Sequence, residues 1–218
     1  TVLPSEKVSF YSHLIGAIAA LIGTVILIAE TAHNPARITT AIIYGFSVTF
    51  LFTASSLYHS RKRAENEESI WRKIDHMAIF VMIAGTYTPM CMVYLDGYWR
   101  VGIIAAQWTI VVLGFFFKLF YFNAPRILYT LLYLLMGWMA VIPIHKILST
   151  MPPALLALLL SGGVSFTVGA LIYALKKPVI KPGVFGFHEL FHLFILLGAV
   201  LHFLMVHSAF SGPVAGTL

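Results

Sequence analysis

The stretch "HELFHLFILLGAVLHFLMVHS", residues 188–208, contains one acidic residue and no Lys or Arg. A helix needs about 20 mostly apolar residues to cross the hydrocarbon core of a bilayer, and this stretch meets that length. His188 and His192 are four residues apart, so a helix presents them on one face. Because polar side chains inside a membrane are costly, a functional role is the default hypothesis for this pair.

The composition of the whole chain points to the same class of protein. The 218 residues are 60% hydrophobic and 10% charged, with a mean hydropathy of +0.91. A soluble domain is about half apolar and about a quarter charged. We therefore expect an all-α integral membrane protein whose single domain spans residues 1–218. We also expect the first apolar stretch to be retained rather than cleaved as a signal peptide.

Apolar runs of sufficient length predict seven transmembrane helices. The break between the fourth and fifth runs is the polar stretch "YFNAPR", residues 121–126, where Asn, Pro and Arg are typical of a loop. The predicted spans are 9–31, 38–59, 75–95, 100–119, 126–145, 153–175 and 188–208.

The Lys and Arg residues predict the orientation of these spans. With a cytoplasmic N-terminus, eleven of the 14 Lys and Arg residues fall on the inner side, and only Arg37, Arg100 and Lys146 fall outside. The positive-inside rule then places the N-terminus in the cytoplasm and the C-terminus outside. We expect a multi-pass protein of the inner (plasma) membrane. The net charge of +6 reflects these loops and does not indicate a nucleic-acid partner.

Three pairs of polar residues lie at predicted cytoplasmic ends of spans and should share one membrane depth. They are Ser55 with His59, Asp75 with His76, and His188 with His192. Histidines at i and i+4 can bind one metal ion together. With His59 as a third ligand and one open position, the pattern is typical of a catalytic zinc site.

The roles of Asp75 and Ser55 remain open at this stage. Asp75 is either a fourth ligand or a general base that accepts a hydrogen bond from zinc-bound water, whose pKa falls to about 7 on the metal. Ser55 lies one turn before His59 and can point at the same centre. The alternative to a metal site is a hydrogen-bonded polar layer that only fastens the helices together.

Other polar residues are weaker candidates. Glu6, Ser9 and His13 share one face of the first span and either support the ligands or mark a helix start. His76 and Glu189 adjoin ligand candidates but point about 100° away from them. His202 lies fourteen residues beyond His188, about 21 Å along a helix, so we expect it to make an interhelical hydrogen bond instead. The preferred role of Tyr87 is packing.

Taken together, three motifs resemble those of the hemolysin III family. The motifs are Glu6-x2-Ser9-x3-His13, Ser55-x3-His59 with Asp75 opening the next span, and His188-x3-His192. This family is the bacterial branch of the progestin and adipoQ receptor (PAQR) superfamily, which includes the adiponectin receptors. The resemblance covers essentially the whole chain.

The resemblance implies a zinc ion held by His59, His188 and His192. It also implies contact between Asp75 and zinc-bound water, and a place for Ser55 in the same polar site. The wider superfamily implies hydrolysis of lipid amides. Our leading hypothesis is therefore a metal-dependent hydrolase of a lipid amide or ester, with a membrane lipid such as a ceramide as substrate. The alternatives are a non-enzymatic receptor or regulator with a structural zinc, and a hemolysin-like pore-forming protein. The sequence leaves the oligomeric state open.

Overall fold

The structure is a computed structural model that describes residues 2–64, 67–121, 125–181 and 185–211. The described residues form helices and connecting loops, and their only β pairing is an isolated bridge between Lys181 and Phe185. Short 3-10 turns cover Pro4–Glu6 and Met139–Val141. The helices are α1 Lys7–Glu30, α2 Pro35–Arg61, α3 Ile70–Tyr94, α4 Gly97–Phe120, α5 Arg126–Gly137, α6 Ile144–Thr150, α7 Pro153–Leu175 and α8 Phe187–Ser211.

Six of these helices are long and apolar enough to cross a membrane, and the number is seven if the bent pair that includes α5 and α6 is one broken span. The all-α membrane fold is therefore confirmed. In the predicted break at 121–126, residues 122–124 lie outside the described residues. The orientation of the bundle in the membrane stays a prediction.

The start of α3 differs from the prediction. The helix begins at Ile70 rather than at residue 75, because the Ser69 side chain accepts a hydrogen bond from the backbone N–H of Arg72 and caps it. Such a cap satisfies one of the free N–H groups at a helix start. Asp75 consequently lies inside the helix, more than one turn from its beginning.

The surface of α1 illustrates why the fold requires a lipid environment. Ile15, Ile18, Ile22 and Val25 follow one another at helical spacing, and each is more than half exposed. The opposite face of α1 is buried and carries smaller or polar residues, including Ser9 and His13. The apolar face of α1 thus points outward and its polar face points inward. A helix on the surface of a soluble protein has the opposite arrangement.

The helices form a closed bundle that brings distant parts of the chain together. Consecutive helices α1 to α4 pack in order, α7 packs along α8, and α8 also packs against α1. As a result, the C-terminal end of α2 meets the N-terminal ends of α3 and α8 at one end of the bundle. At the other end, the Lys146 ammonium lies 3.3 Å from the Asp96 carboxylate.

The predicted fifth span, 126–145, is not one continuous helix. It is divided into α5 and α6, which are bent by 53° relative to each other. Pro143 stands directly before α6, and proline has no N–H to continue the hydrogen bonds of a preceding helix. The prediction of a single helix here was wrong because it counted apolar residues and gave this proline no weight.

Side chains of neighbouring helices satisfy the backbone groups that the break leaves free. The Tyr87 hydroxyl donates to the carbonyl of Gly137 at 2.7 Å and accepts from the N–H of Ala140 at 2.8 Å. The side-chain amide of Gln107 donates to the carbonyl of Met136 at 2.9 Å. In the hydrocarbon core no water is present to form hydrogen bonds with free backbone N–H and C=O groups, so these groups need partners within the protein. The preferred role of Tyr87 as a packing residue was therefore incomplete.

We expect Tyr87→Phe to lower the stability of the folded protein in detergent by about 1–3 kcal/mol, since it leaves buried backbone groups unpaired. Thermal unfolding measures the change. The control is Tyr98→Phe, since Tyr98 is 76% exposed. Equal melting temperatures for the two variants would contradict the assigned role of Tyr87.

Candidate metal centre

Three histidines meet where α2 and α8 come together. One ring nitrogen of each of His59, His188 and His192 lies within 4.8 Å of the others. The Nε2 atoms of His59 and His188 are 3.3 Å apart. His59 is fully buried and His192 is 2% exposed. The residues that the sequence selected are thus brought into one cluster, although they are far apart in the chain.

The spacing of this cluster fits a tetrahedral metal ion. Zinc–imidazole bonds of 2.0–2.1 Å in a tetrahedron place two ligand nitrogens about 3.3–3.4 Å apart. The distance between the Nε2 atoms of His59 and His188 has this value, and a ring nitrogen of His192 lies within 4.8 Å of both residues' ligand atoms. Three neutral imidazoles are also a donor set that suits zinc and other late divalent metals. The cluster can therefore hold a metal ion.

The Glu6 carboxylate contacts the ring of His59 on the side away from the other two histidines. Glu6 Oε2 lies 2.6 Å from Nδ1 of His59, and Glu6 Oε1 lies 2.7 Å from the Lys62 ammonium. A carboxylate only accepts hydrogen bonds, so Nδ1 of His59 carries the proton and Nε2 offers its lone pair to the cluster. Metal-binding histidines are commonly oriented in this way. Of the two roles left open for Glu6, the geometry favours support of a ligand.

The remaining residues of the first motif contact α8. Ser9 donates a hydrogen bond to Glu189 at 3.2 Å. The ring of His13 stacks on that of His192, with centroids 3.7 Å apart and planes 11° from parallel. Glu189 itself accepts from the backbone N–H of Gly186. Glu189 thus ties the start of α8 to α1 and does not join the histidine cluster.

Asp75 and Ser55 lie in the wall of a cavity beside the cluster, together with His188 and His192. Ser55 on α2 and Asp75 on α3 thus face the same space. Asp75 is not among the residues whose ligand atoms lie within 4.8 Å of one another. Asp75 therefore lies outside the group of mutually close ligand atoms, and its role as a base stays a prediction.

The weaker candidates occupy separate positions. His202 Nε2 lies 3.0 Å from the carbonyl oxygen of Leu159 on α7, which is the interhelical hydrogen bond that the sequence predicted. His76 also lines the cavity, and its backbone carbonyl accepts a hydrogen bond from Tyr133 at 3.1 Å.

The cavity has a volume of about 210 Å³ and a mostly apolar wall that reaches from the histidine cluster to His202. A smaller cavity of about 60 Å³ also has His202 in its wall and continues to Ile147 of α6. The two cavities together trace an apolar path along the inside of the bundle.

Three cations in the cavity wall were not selected from the sequence. They are Arg72, Lys118 and Arg126, which the sequence analysis treated only as basic residues near the inner surface. Lys118 is 1% exposed and lies within α4. The stretch "FFFKLF", residues 115–120, did contain a signal, because a lone charge in an apolar run is a candidate functional residue.

Comparison with known proteins identifies the family of this chain. A family model described as "Haemolysin-III related" matches residues 2–203. Hemolysin-3 of Bacillus cereus is 32% identical over 203 residues, which cover 92% of this chain and 90% of that protein. The Hemolysin-3 homolog of Bacillus subtilis is 31% identical over 206 residues, covering 94% of this chain and 93% of that protein.

A more distant relative connects the chain to eukaryotic proteins. The ADIPOR-like receptor IZH2 of Saccharomyces cerevisiae is 24% identical over 226 residues, which cover 92% of this chain and 70% of that protein. These matches confirm the family resemblance that the three motifs indicated. The chain belongs to the haemolysin-III related family of multi-pass membrane proteins, within the PAQR superfamily.

Proposed function

We propose that this protein is a zinc-dependent hydrolase of a membrane lipid, acting on an acyl amide or ester bond. The observation that carries the proposal is that the three histidine nitrogens lie close together, and that two of these histidines share the wall of an apolar cavity with Asp75 and Ser55. A polar layer that only fastened helices would not need a cavity beside it. The cavity provides room for a substrate next to the polar groups.

A zinc ion held by His59, His188 and His192 would supply Lewis acidity, which polarises a carbonyl and brings the pKa of water close to neutrality. Asp75 would act as the general base and take a proton from the attacking water. Ser55, which lines the same cavity wall as Asp75, would orient the water or the substrate. Glu6 would keep His59 in the tautomer that binds metal.

The apolar wall of the cavity supports a lipid as the substrate class. The acyl chain would lie along the path that runs past His202, and its carbonyl group would reach the cluster. With the orientation that the charge distribution predicts, the cluster faces the cytoplasmic side of the inner (plasma) membrane. The substrate would enter from the bilayer between helices.

The metal assignment is tested by removing two ligands together. We expect purified wild-type protein to contain about one zinc ion per chain, because one nitrogen of each of three histidines lies within 4.8 Å of the others. We expect the His188→Ala, His192→Ala double variant to contain almost none. Elemental analysis measures the content. The matched control is His145→Ala with His207→Ala, since His145 is exposed and His207 pairs with Glu30 away from the cluster. Equal zinc in wild type and the first double variant would end the metal claim.

The supporting role of Glu6 gives a second test. We expect Glu6→Gln to weaken zinc binding by about tenfold or more, because the His59 ring loses its charged acceptor. Competition with a chelator of known affinity measures the change. Glu30→Gln is the control, as Glu30 contacts His207 rather than the cluster. An unchanged affinity in Glu6→Gln would show that the carboxylate does not act on the metal site.

The catalytic claim is tested at Asp75. We expect Asp75→Asn to retain zinc but to lower hydrolysis of ceramides or other acyl lipids by about a hundredfold or more, the usual contribution of a general base. Mass spectrometry of released fatty acid measures the turnover. Asp96→Asn is the control, since the Asp96 side chain is 70% exposed and pairs with Lys146 at the other end of the bundle.

Turnover that survives in Asp75→Asn would reject the mechanism. If wild-type protein hydrolyses none of these lipids and zinc changes only its melting temperature, the result would favour a receptor or regulator in which zinc holds the helices together.

A further inference from the structure

His202 is a buried polar residue to which the proposed function gives no role. It lies within α8 and is 8% exposed. Its Nε2 atom lies 3.0 Å from the carbonyl oxygen of Leu159. A carbonyl oxygen only accepts hydrogen bonds, so Nε2 carries the proton, and Nδ1 of the neutral ring is left as an acceptor. Nδ1 is buried and has no hydrogen-bond partner among the described residues, an arrangement that is uncommon in folded proteins and requires an explanation.

The packing of the His202 ring directs Nδ1 away from α7. A Cβ atom at Gly162 of α7 would collide with Cδ2 and Nε2 of His202, so this edge of the ring faces that helix. In an imidazole ring, Nδ1 is the atom opposite the bond between Cδ2 and Nε2. Nδ1 therefore points away from α7, and His202 lines both cavities inside the bundle.

The two cavities meet at a polar part of the otherwise apolar path. The residues that line both of them are Thr86, Tyr87, Gly137, Trp138 and His202. The Thr86 hydroxyl donates a hydrogen bond to the carbonyl of the residue four positions earlier, and the Tyr87 hydroxyl donates to the carbonyl of Gly137. The oxygen of each hydroxyl can still accept a hydrogen bond. The junction of the cavities therefore suits a small molecule that donates hydrogen bonds.

We propose that the junction of the two cavities binds water, which donates a hydrogen bond to Nδ1 of His202. The smaller cavity has a volume of about 60 Å³, and one water needs about 10–15 Å³ of such space. Apolar cavities stay dry, whereas a cavity with polar partners holds water. Through Thr86 or Tyr87 this water would connect α8 with α3, beside the bend between α5 and α6. The proposal goes beyond the proposed function, because it requires neither zinc nor turnover.

Water at the junction is tested by solid-state NMR of full-length protein, labelled with ¹³C and ¹⁵N, in lipid bilayers. Magnetisation is transferred from water protons to the protein, and its build-up is compared between residues. We expect the His202 ring and the Thr86 side chain to receive it several times faster than Ala199, because water would contact only the first two. Ala199 lies on the same helix, is 6% exposed and is not among the described residues that line either cavity.

Two substitutions test whether His202 itself holds the water. His202→Phe and His202→Asn both remove Nε2 and its hydrogen bond to Leu159, but the side-chain oxygen of asparagine takes a position close to that of Nδ1 and keeps the acceptor. We expect the transfer to Thr86 to fall to the level of Ala199 in His202→Phe and to remain in His202→Asn. His145→Phe is the control, since His145 is exposed and is not among the described residues of either lining.

Three results would overturn the proposal. Equal build-up at His202, Thr86 and Ala199 in wild-type protein would show a dry junction, and this comparison needs no variant to fold. Transfer to Thr86 that persists in His202→Phe would show that the water does not depend on His202. Loss of transfer in both variants would assign the effect to the missing bond to Leu159 rather than to Nδ1. Zinc content and hydrolysis bear on the proposed function alone.

Discussion

The contact between the Glu6 carboxylate and the ring of His59 joins the first two helices at the most polar point of an otherwise apolar bundle. A buried imidazole needs a partner for its N–H, and a buried carboxylate needs donors. Glu6 meets both needs at once, since its second oxygen accepts from Lys62. Once α1 and α2 are fixed in this way, α8 can add its two histidines to the same point.

Polar contacts also connect α1 with α8. Ser9 with Glu189 and His13 with His192 connect the two helices by one hydrogen bond and one stacked ring pair. Helices in lipid gain little from burying apolar surface against each other, so packing and polar contacts carry more of their association. Contacts at and beside the histidine cluster therefore also help to hold the bundle together.

Much of this arrangement could be predicted from the sequence. The four-residue spacings at Ser55–His59 and His188–His192 indicate a shared helix face, and the alternation of spans places these faces at one end of the bundle. The partner of His59 and the charge of the cavity could not be predicted, because Glu6 and Lys118 approach the site from helices that the pattern alone does not orient. The break before α6 was missed because it depends on Pro143 and on hydrogen bonds from Tyr87 and Gln107, which are tertiary contacts.

The position of the polar groups along their helices has a consequence for how the protein is made. His59, Asp75, Lys118 and His188 all lie near helix ends that meet on one side of the bundle. If that side faces the cytoplasm, as the distribution of Lys and Arg predicts, none of these groups has to be translocated through the hydrocarbon core during synthesis. The apolar portions can enter the bilayer while the polar residues stay on the side where the ribosome releases them.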